Sequence, residues 1–293
     1  MQKPYRGRKR AWAQLTCRVL FLAFAAVFLV SSVLLASRLY REKKEHQAFA
    51  QLAQLAASSE PGTTDARPAG EADAPDGEED PSAGQQVDYA RLYELNPDFF
   101  GWLTIEGTVL NYPVMYQPEK EGYYLKHAFD GSSSLSGVPY VDEACFPGCG
   151  NYLIHGHNMK NGTIFAALLS YKEESFWRTH PTITFHTLDG PGTYEIMGAF
   201  TSRVYTSADE GVFRYYQYTD LTDPDVFAEY VSNVKKSARY DTGATAEYVA
   251  QVKKSARYDT GVTAEYGDEL ITLSTCGYHT QDGRFVVVAR KTD

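Results

Sequence analysis

From Val19 to Ala36 the chain is apolar apart from Ser31 and Ser32, and a run of that kind leaves a polypeptide few options. Eighteen residues in a helix rise about 27 Å, close to the roughly 30 Å hydrocarbon core of a bilayer. The run exceeds the roughly 7–15 residues of a signal-peptide core, and no small-x-small cleavage site separates it from the charged Arg38 to Lys44 cluster. A single-pass anchor over residues 17–37 is expected, with a cleaved signal peptide as the alternative. Lys3, Arg6, Arg8, Lys9 and Arg10 precede the span, which keeps residues 1–16 cytoplasmic and exports the rest. Basic residues beyond the span reduce that asymmetry.

Residues 38–86 are expected to be a juxtamembrane segment and linker. Glu42 to Ala57 can continue as a polar helix, but Ser58 to Gln86 is Pro, Gly, Ala, Ser, Asp and Glu without an aromatic residue. It cannot bury enough apolar surface to offset its chain entropy, so it reads as a disordered tether. Much of the chain's net charge of -9 lies there, so the charge says little about partners of the folded part.

From Val87 the composition turns aromatic and globular, and residues 87–293 suffice for one well-cored domain. Short strands are expected at Gly101–Ile105, Val109–Val114, Val138–Val141, Asn151–Ile154, Thr182–Thr187, Thr193–Thr201, Leu270–Cys276 and Arg284–Ala289. Helices are expected at Asp88–Leu95, Ile164–Tyr171, Glu173–Thr179 and Pro224–Tyr240. About eight short strands with frequent turn signals favour a mainly β barrel or sandwich.

The stretch that carries chemistry is Ile271-Thr272-Leu273-Ser274-Thr275-Cys276, an alternating β-branched strand that delivers a thiol to its exit. Asp282-Gly283 signals a hairpin, and Arg284 opens the returning strand. A thiolate is a nucleophile, and a guanidinium beside it can hold negative charge. A lone cysteine in an apolar strand is commonly a small core residue, so a histidine close in space is needed. His157 supplies it, in Asn151-Tyr152-Leu153-Ile154-His155-Gly156-His157-Asn158-Met159, where an apolar strand runs into Gly-His. Of the four cysteines, Cys17 borders the apolar span as a small apolar residue. Cys145 and Cys149 flank a turn, where a local disulfide, two free thiols or a metal site with His155 or His157 are the options. No second cysteine pair completes a structural zinc pattern, and no metal or other cofactor is expected.

These residues resemble the signature of sortases, specifically class B. The resemblance runs from Val87 to Lys291 and includes Gly156-His157-Asn158-Met159, Thr272 to Cys276, Gly283-Arg284, Asn96 to Leu103, Asn111 to Val114 and Phe176 to Ile183. It implies a closed sortase barrel with added helices and a cysteine transpeptidase using His157, Cys276 and Arg284. Cys276 would attack the carbonyl after the Thr of a C-terminal sorting motif and form a thioacyl intermediate. His157 would move protons, and Arg284 would hold the oxyanion.

The implied partners are secreted proteins bearing a sorting signal, together with a peptidoglycan precursor amine or a pilin lysine. A membrane is implied and nucleic acid is not. A cysteine protease or amidase releasing product to water is the rival. Ser274 and Thr275 are candidates for the substrate groove, or else ordinary strand packing. His155 stands where relatives often carry Tyr and is a further candidate, as is Leu125.

Two features depart from the family pattern. Gly277 follows the cysteine where many relatives have an acidic residue. Residues 228–263 hold a tandem duplication of period 18, which predicts two successive helices joined at Asp241 to Gly243.

Overall fold

The computed structural model of the chain describes residues 6–57, 89–239 and 260–292. The first stretch is one helix, α1 (Arg6–Ala57). Its Leu20–Leu55 portion is long and apolar enough to cross a membrane, with mean hydropathy 2.5 and none of that window buried. Phe21 and Phe24 are 73% and 72% exposed, apolar area that is unfavourable in water by about 25 cal/mol per Å² and that hydrocarbon would cover. The helix persists to Ala57, through the polar continuation expected there. The expected tether, Ser58 to Gln86, lies outside the described residues.

From Tyr89 the chain folds around a closed barrel of eight strands. These are β1 (Phe99–Thr104), β2 (Asn111–Met115), β3 (Tyr140–Val141), β4 (Asn151–His155), β5 (Thr182–Thr187), β6 (Thr193–Arg203), β7 (Leu270–Cys276) and β8 (Gly283–Lys291). Around the barrel the order is β1-β2-β3-β4-β7-β8-β6-β5. Most neighbours are antiparallel, whereas β2–β3 and β4–β7 run parallel. The strands form where β-branched and aromatic residues dominate, and they close because each has a buried ladder partner on both sides. Leu103, Ile183, Ile196, Leu273 and Val287 are fully buried in the core.

Closure requires small residues at specific points. A Cβ on Gly101 of β1 would lie 2.5 Å from the His186 carbonyl oxygen, too close for any side chain. Helix α2 (Tyr89–Leu95) leads into β1, and α3 (Glu174–Thr179) precedes β5. The helix expected at Ile164–Tyr171 is instead a 3₁₀ helix over Ala166–Lys172. Ile164 sits before it at φ 57, a left-handed conformation that interrupts α-helical hydrogen bonding and is unfavourable for a β-branched residue.

Helix α4 (Pro224–Arg239) covers the outer face of β6. It starts with Pro224 in its first turn and the Asp223 carboxylate accepting from the Asp225 and Val226 amides at 2.8 and 3.2 Å, a side-chain cap for free helix donors. Phe227, Tyr230, Val234 and Ala238 form its buried face, while Val231 is half-buried. Gly198 of β6 admits the helix, since a Cβ there would stand 2.8 Å from that of Ala238. The second copy of the duplication, and with it the expected junction at Asp241 to Gly243, falls mostly outside the described residues. Where the chain is described again, the Thr260 hydroxyl donates to the Met197 carbonyl at 2.9 Å.

Beneath α4 a buried polar relay ties helix, β7 and β4 together. The Tyr230 hydroxyl pairs with Thr272 Oγ1. Thr272 donates to Asn151 Oδ1 at 2.9 Å, and Asn151 Nδ2 donates to the Tyr218 carbonyl at 2.7 Å. Tyr230, Thr272 and Asn151 are all fully buried, so an unpaired member would bear the whole desolvation cost. Thr272→Val keeps the shape and removes the relay atom, and should lower unfolding free energy by about 1–3 kcal/mol in a urea titration. An unchanged midpoint would show that the relay contributes nothing.

Candidate active site

Cys276 ends β7 and Arg284 stands second in β8, and the two are directly paired across the antiparallel ladder. Opposed residues project from the same face with Cβ atoms about 4.5–5.5 Å apart. On the other edge of β7 lies β4, parallel and in register from Asn151↔Leu270 to His155↔Ser274. Two further steps of that register bring His157 level with Cys276. The backbone keeps this alignment past the strand end: the Gly156 amide donates to the Ser274 carbonyl at 3.1 Å, and Asn158 Nδ2 donates to the Cys276 carbonyl at 3.0 Å. Side chains alternate along a strand, so His155, Ser274, Cys276 and Arg284 share one face and His157 continues it.

His157 is held from two sides. Its backbone carbonyl accepts from the Phe165 amide at 2.9 Å, and its Nε2 lies 2.9 Å from the Leu125 carbonyl. A carbonyl only accepts, so Nε2 carries the proton and Nδ1 is the basic nitrogen of the neutral ring. Gly156 is obligatory, because a Cβ would lie 2.6 Å from the Phe165 ring. Tyr278 adds a clip, its hydroxyl donating to the Asn158 carbonyl at 3.0 Å.

The hairpin turn is equally restricted. Asp282 adopts φ 54, and the Gly277 amide donates to the Gly283 carbonyl at 2.8 Å. A Cβ on Gly283 would stand 2.2 Å from the Gly277 oxygen, and one on Gly277 would meet His279 Nδ1 at 2.8 Å and the Arg284 backbone at 3.1 Å. A side chain at 277, such as the acidic residue the resemblance places there, would require the His279 ring to move. Arg284 Nη1 donates to the Gly283 carbonyl at 3.0 Å.

These groups open into a groove of about 710 Å³. Leu125, His155, His157, Ser274, Thr275, Cys276 and Arg284 all line it. Ser274 and Thr275 are nonetheless buried. The Ser274 hydroxyl pairs with that of Tyr215 at 2.7 Å, and Thr275 Oγ1 donates to the Gly156 carbonyl at 2.7 Å. Both hydroxyls brace the groove from beneath.

Burial pushes the Tyr215 hydroxyl up to about 12. Burial, then the charges of Glu143 and Asp142, push Tyr140 to about 12 as well, so both remain hydrogen-bond donors at neutral pH. His155 Nε2 lies 2.8 Å from Asp142 Oδ2. Burial opposes the Asp142 charge, but hydrogen bonds from His155 and the Ala144 amide outweigh it and hold the carboxyl below its usual range.

Asp142, Tyr140, Tyr215 and Tyr278 were not singled out from the sequence, and Asn158 was named only within the Gly156-to-Met159 signature. Only Asp142 and Tyr140 had a legible signal, since folding β3 and β4 as a hairpin places them beside His155. Cys145 and Cys149 are free and buried, with both Sγ atoms near the Asn151 carbonyl, at 3.6 and 3.4 Å. They share a hydrogen bond, and with burial this holds the Cys145 thiol well above its usual range. Among the described residues no three His, Cys, Asp or Glu side chains gather as metal ligands.

Residues 103–292 match the Sortase domain family. A relative, sortase B of Listeria monocytogenes, is 28% identical over 203 residues, covering 67% of this chain and 70% of that protein. The fold is shared with sortase B from B. anthracis (TM-score 0.61, 20% identity, 87% of this chain and 99% of that one). It is also shared with the Staphylococcus aureus sortase B–substrate complex (TM-score 0.55, 23% identity, 70% and 84%).

The Gly156 packing is testable through the thiol. Gly156→Ala should displace His157 and slow alkylation of Cys276 by iodoacetamide, followed by peptide mass mapping, while Gly156→Ala combined with Phe165→Leu should recover it. An unchanged rate in the single variant would show that this contact does not position the imidazole.

Proposed function

The chain belongs to the sortase family, class B, and on that premise we propose that Cys276, His157 and Arg284 perform its reaction at the outer face of a membrane. It is a cysteine transpeptidase of proteins that carry sorting motifs. The cross-strand pairing of Cys276 with Arg284, flanked by His157 in parallel register, is the observation that supports these roles.

In this reading the Cys276 thiol gives its proton to His157 Nδ1, and the sulfur attacks the carbonyl that follows the sorting-motif Thr. Charge collects on the carbonyl oxygen, where the Arg284 guanidinium supplies charge-assisted hydrogen bonds. Arginine is unsuited to act as the base, since its pKa exceeds about 12. The His157 imidazolium then protonates the departing amine, leaving a thioacyl enzyme. An acceptor amine resolves it, a peptidoglycan cross-bridge being the proposed source. A pilin lysine is the second reading, and water would make the enzyme a protease. Leu125 and His155 contact substrate from the groove wall, and Ser274 and Thr275 shape its floor.

Location follows the same logic. The apolar portion of α1 acts as a single-pass anchor with the N-terminus cytoplasmic, residues 38–86 act as juxtamembrane segment and tether, and residues 87–293 form the catalytic domain outside. Tethering there would bring the thiol within reach of exported proteins and wall precursors.

The full chain in detergent, mixed with a peptide of the Asn-Pro-x-Thr type that the class B resemblance implies, should yield a thioacyl adduct by mass spectrometry. Cys276→Ala should abolish it, and Arg284→Ala should slow turnover on the order of 100-fold. Turnover near wild type in Arg284→Ala would remove the guanidinium from the mechanism.

A further inference from the structure

An acceptor amine poses a proton problem that His157 cannot solve alone. At neutral pH an α-amine with pKa about 8, or a lysine at about 10.4, is mainly ammonium and cannot attack. It must lose one proton before attack and a second as the amide forms. His157 is neutral once it has protonated the leaving amine, so it has room for one proton, and that one returns to the Cys276 sulfur. A second base in the groove would let the dominant ammonium form serve as acceptor.

We propose that His155, positioned by Asp142, is the base that deprotonates the incoming ammonium; this rests on the transpeptidase reading above. His155 ends β4, and His157 follows it by two residues, about 7 Å of extended chain; both line the same groove. Its Nε2 is 2.8 Å from Asp142 Oδ2, which fixes the tautomer with Nε2 protonated and Nδ1 basic, and places an anion where it stabilises the imidazolium once formed. The hydrogen bonds that hold Asp142 below the usual carboxyl range keep it ionised for that role.

The groove's charge suits the assignment. Glu121, Asp142 and Glu143 line it together with Lys126 and Arg284, and the three carboxylates act on Tyr140, the cross-strand partner of His155. That negative charge draws a cation toward the imidazole.

The step balances. Acceptor ammonium gives one proton to His155 Nδ1, and the freed lone pair forms the C–N bond at the thioacyl carbon. The second nitrogen proton passes to His157, the C–S bond breaks, and the departing thiolate takes that proton from His157. His155 returns its proton to solvent, so thioester and ammonium become amide, thiol and one proton.

The test separates acylation from aminolysis in the full chain in detergent, using an Asn-Pro-x-Thr peptide as donor, with triglycine or hydroxylamine as acceptor. Hydroxylamine is mainly unprotonated at neutral pH and needs no base beyond His157. His155→Gln keeps a hydrogen bond to Asp142 but cannot take a proton. Starting from thioacyl enzyme already formed, it should cut the ratio of triglycine transfer to hydroxamate formation about 100-fold. Asp142→Asn should show the same pattern in milder form. Equal loss with both acceptors, or no loss with triglycine, would overturn the proposal. A wild type that forms no thioacyl enzyme would overturn the transpeptidase reading and this one with it.

Discussion

The site depends on the register of β7. That strand is held on one edge by β4 in parallel and on the other by β8 in antiparallel, and side chains alternate with a period of two. A slip of one residue on either edge would turn the thiol away from the imidazole or the guanidinium. Three groups from distant parts of the chain meet because two hydrogen-bond ladders leave them no other arrangement. The register is enforced by buried apolar residues on both faces of β7, and by the Tyr230, Thr272 and Asn151 relay beneath α4.

Glycine is the second constraint. At Gly156, Gly277 and Gly283 any Cβ would collide with a ring, a backbone carbonyl or a neighbouring imidazole. The strand exits can therefore approach one another closely at the point where the reactive groups converge. At Gly277 the neighbour is the His279 ring. A carboxylate reaches His155 from Asp142, the residue after β3.

Much of this was legible in the chain itself. Alternating β-branched runs such as Leu270–Cys276 mark strands, and Cys276, His157 and Arg284 carry their own chemistry. The helix expected at Pro224–Tyr240 is present as Pro224–Arg239. What was not readable depends on contacts distant in sequence. Asn158 reaches the Cys276 carbonyl across 118 positions, and Tyr215 reaches Ser274 across 59; no local pattern announces either. Ile164 misled a helical reading because tertiary contacts, including its amide on the Tyr112 hydroxyl at 3.2 Å, hold it in a left-handed conformation.

The pairing of Cys276 with residue 284 can be measured without any substrate. Cysteines introduced one at a time at positions 283, 284 and 285 should be oxidised mildly, and the bridges mapped by mass spectrometry. Disulfide geometry tolerates Cα separations of only about 4.4–6.8 Å. A bridge from Cys276 to Arg284→Cys, with little at either neighbour, is the expected result. A preferred bridge at 283 or 285 would contradict the register on which the whole site rests.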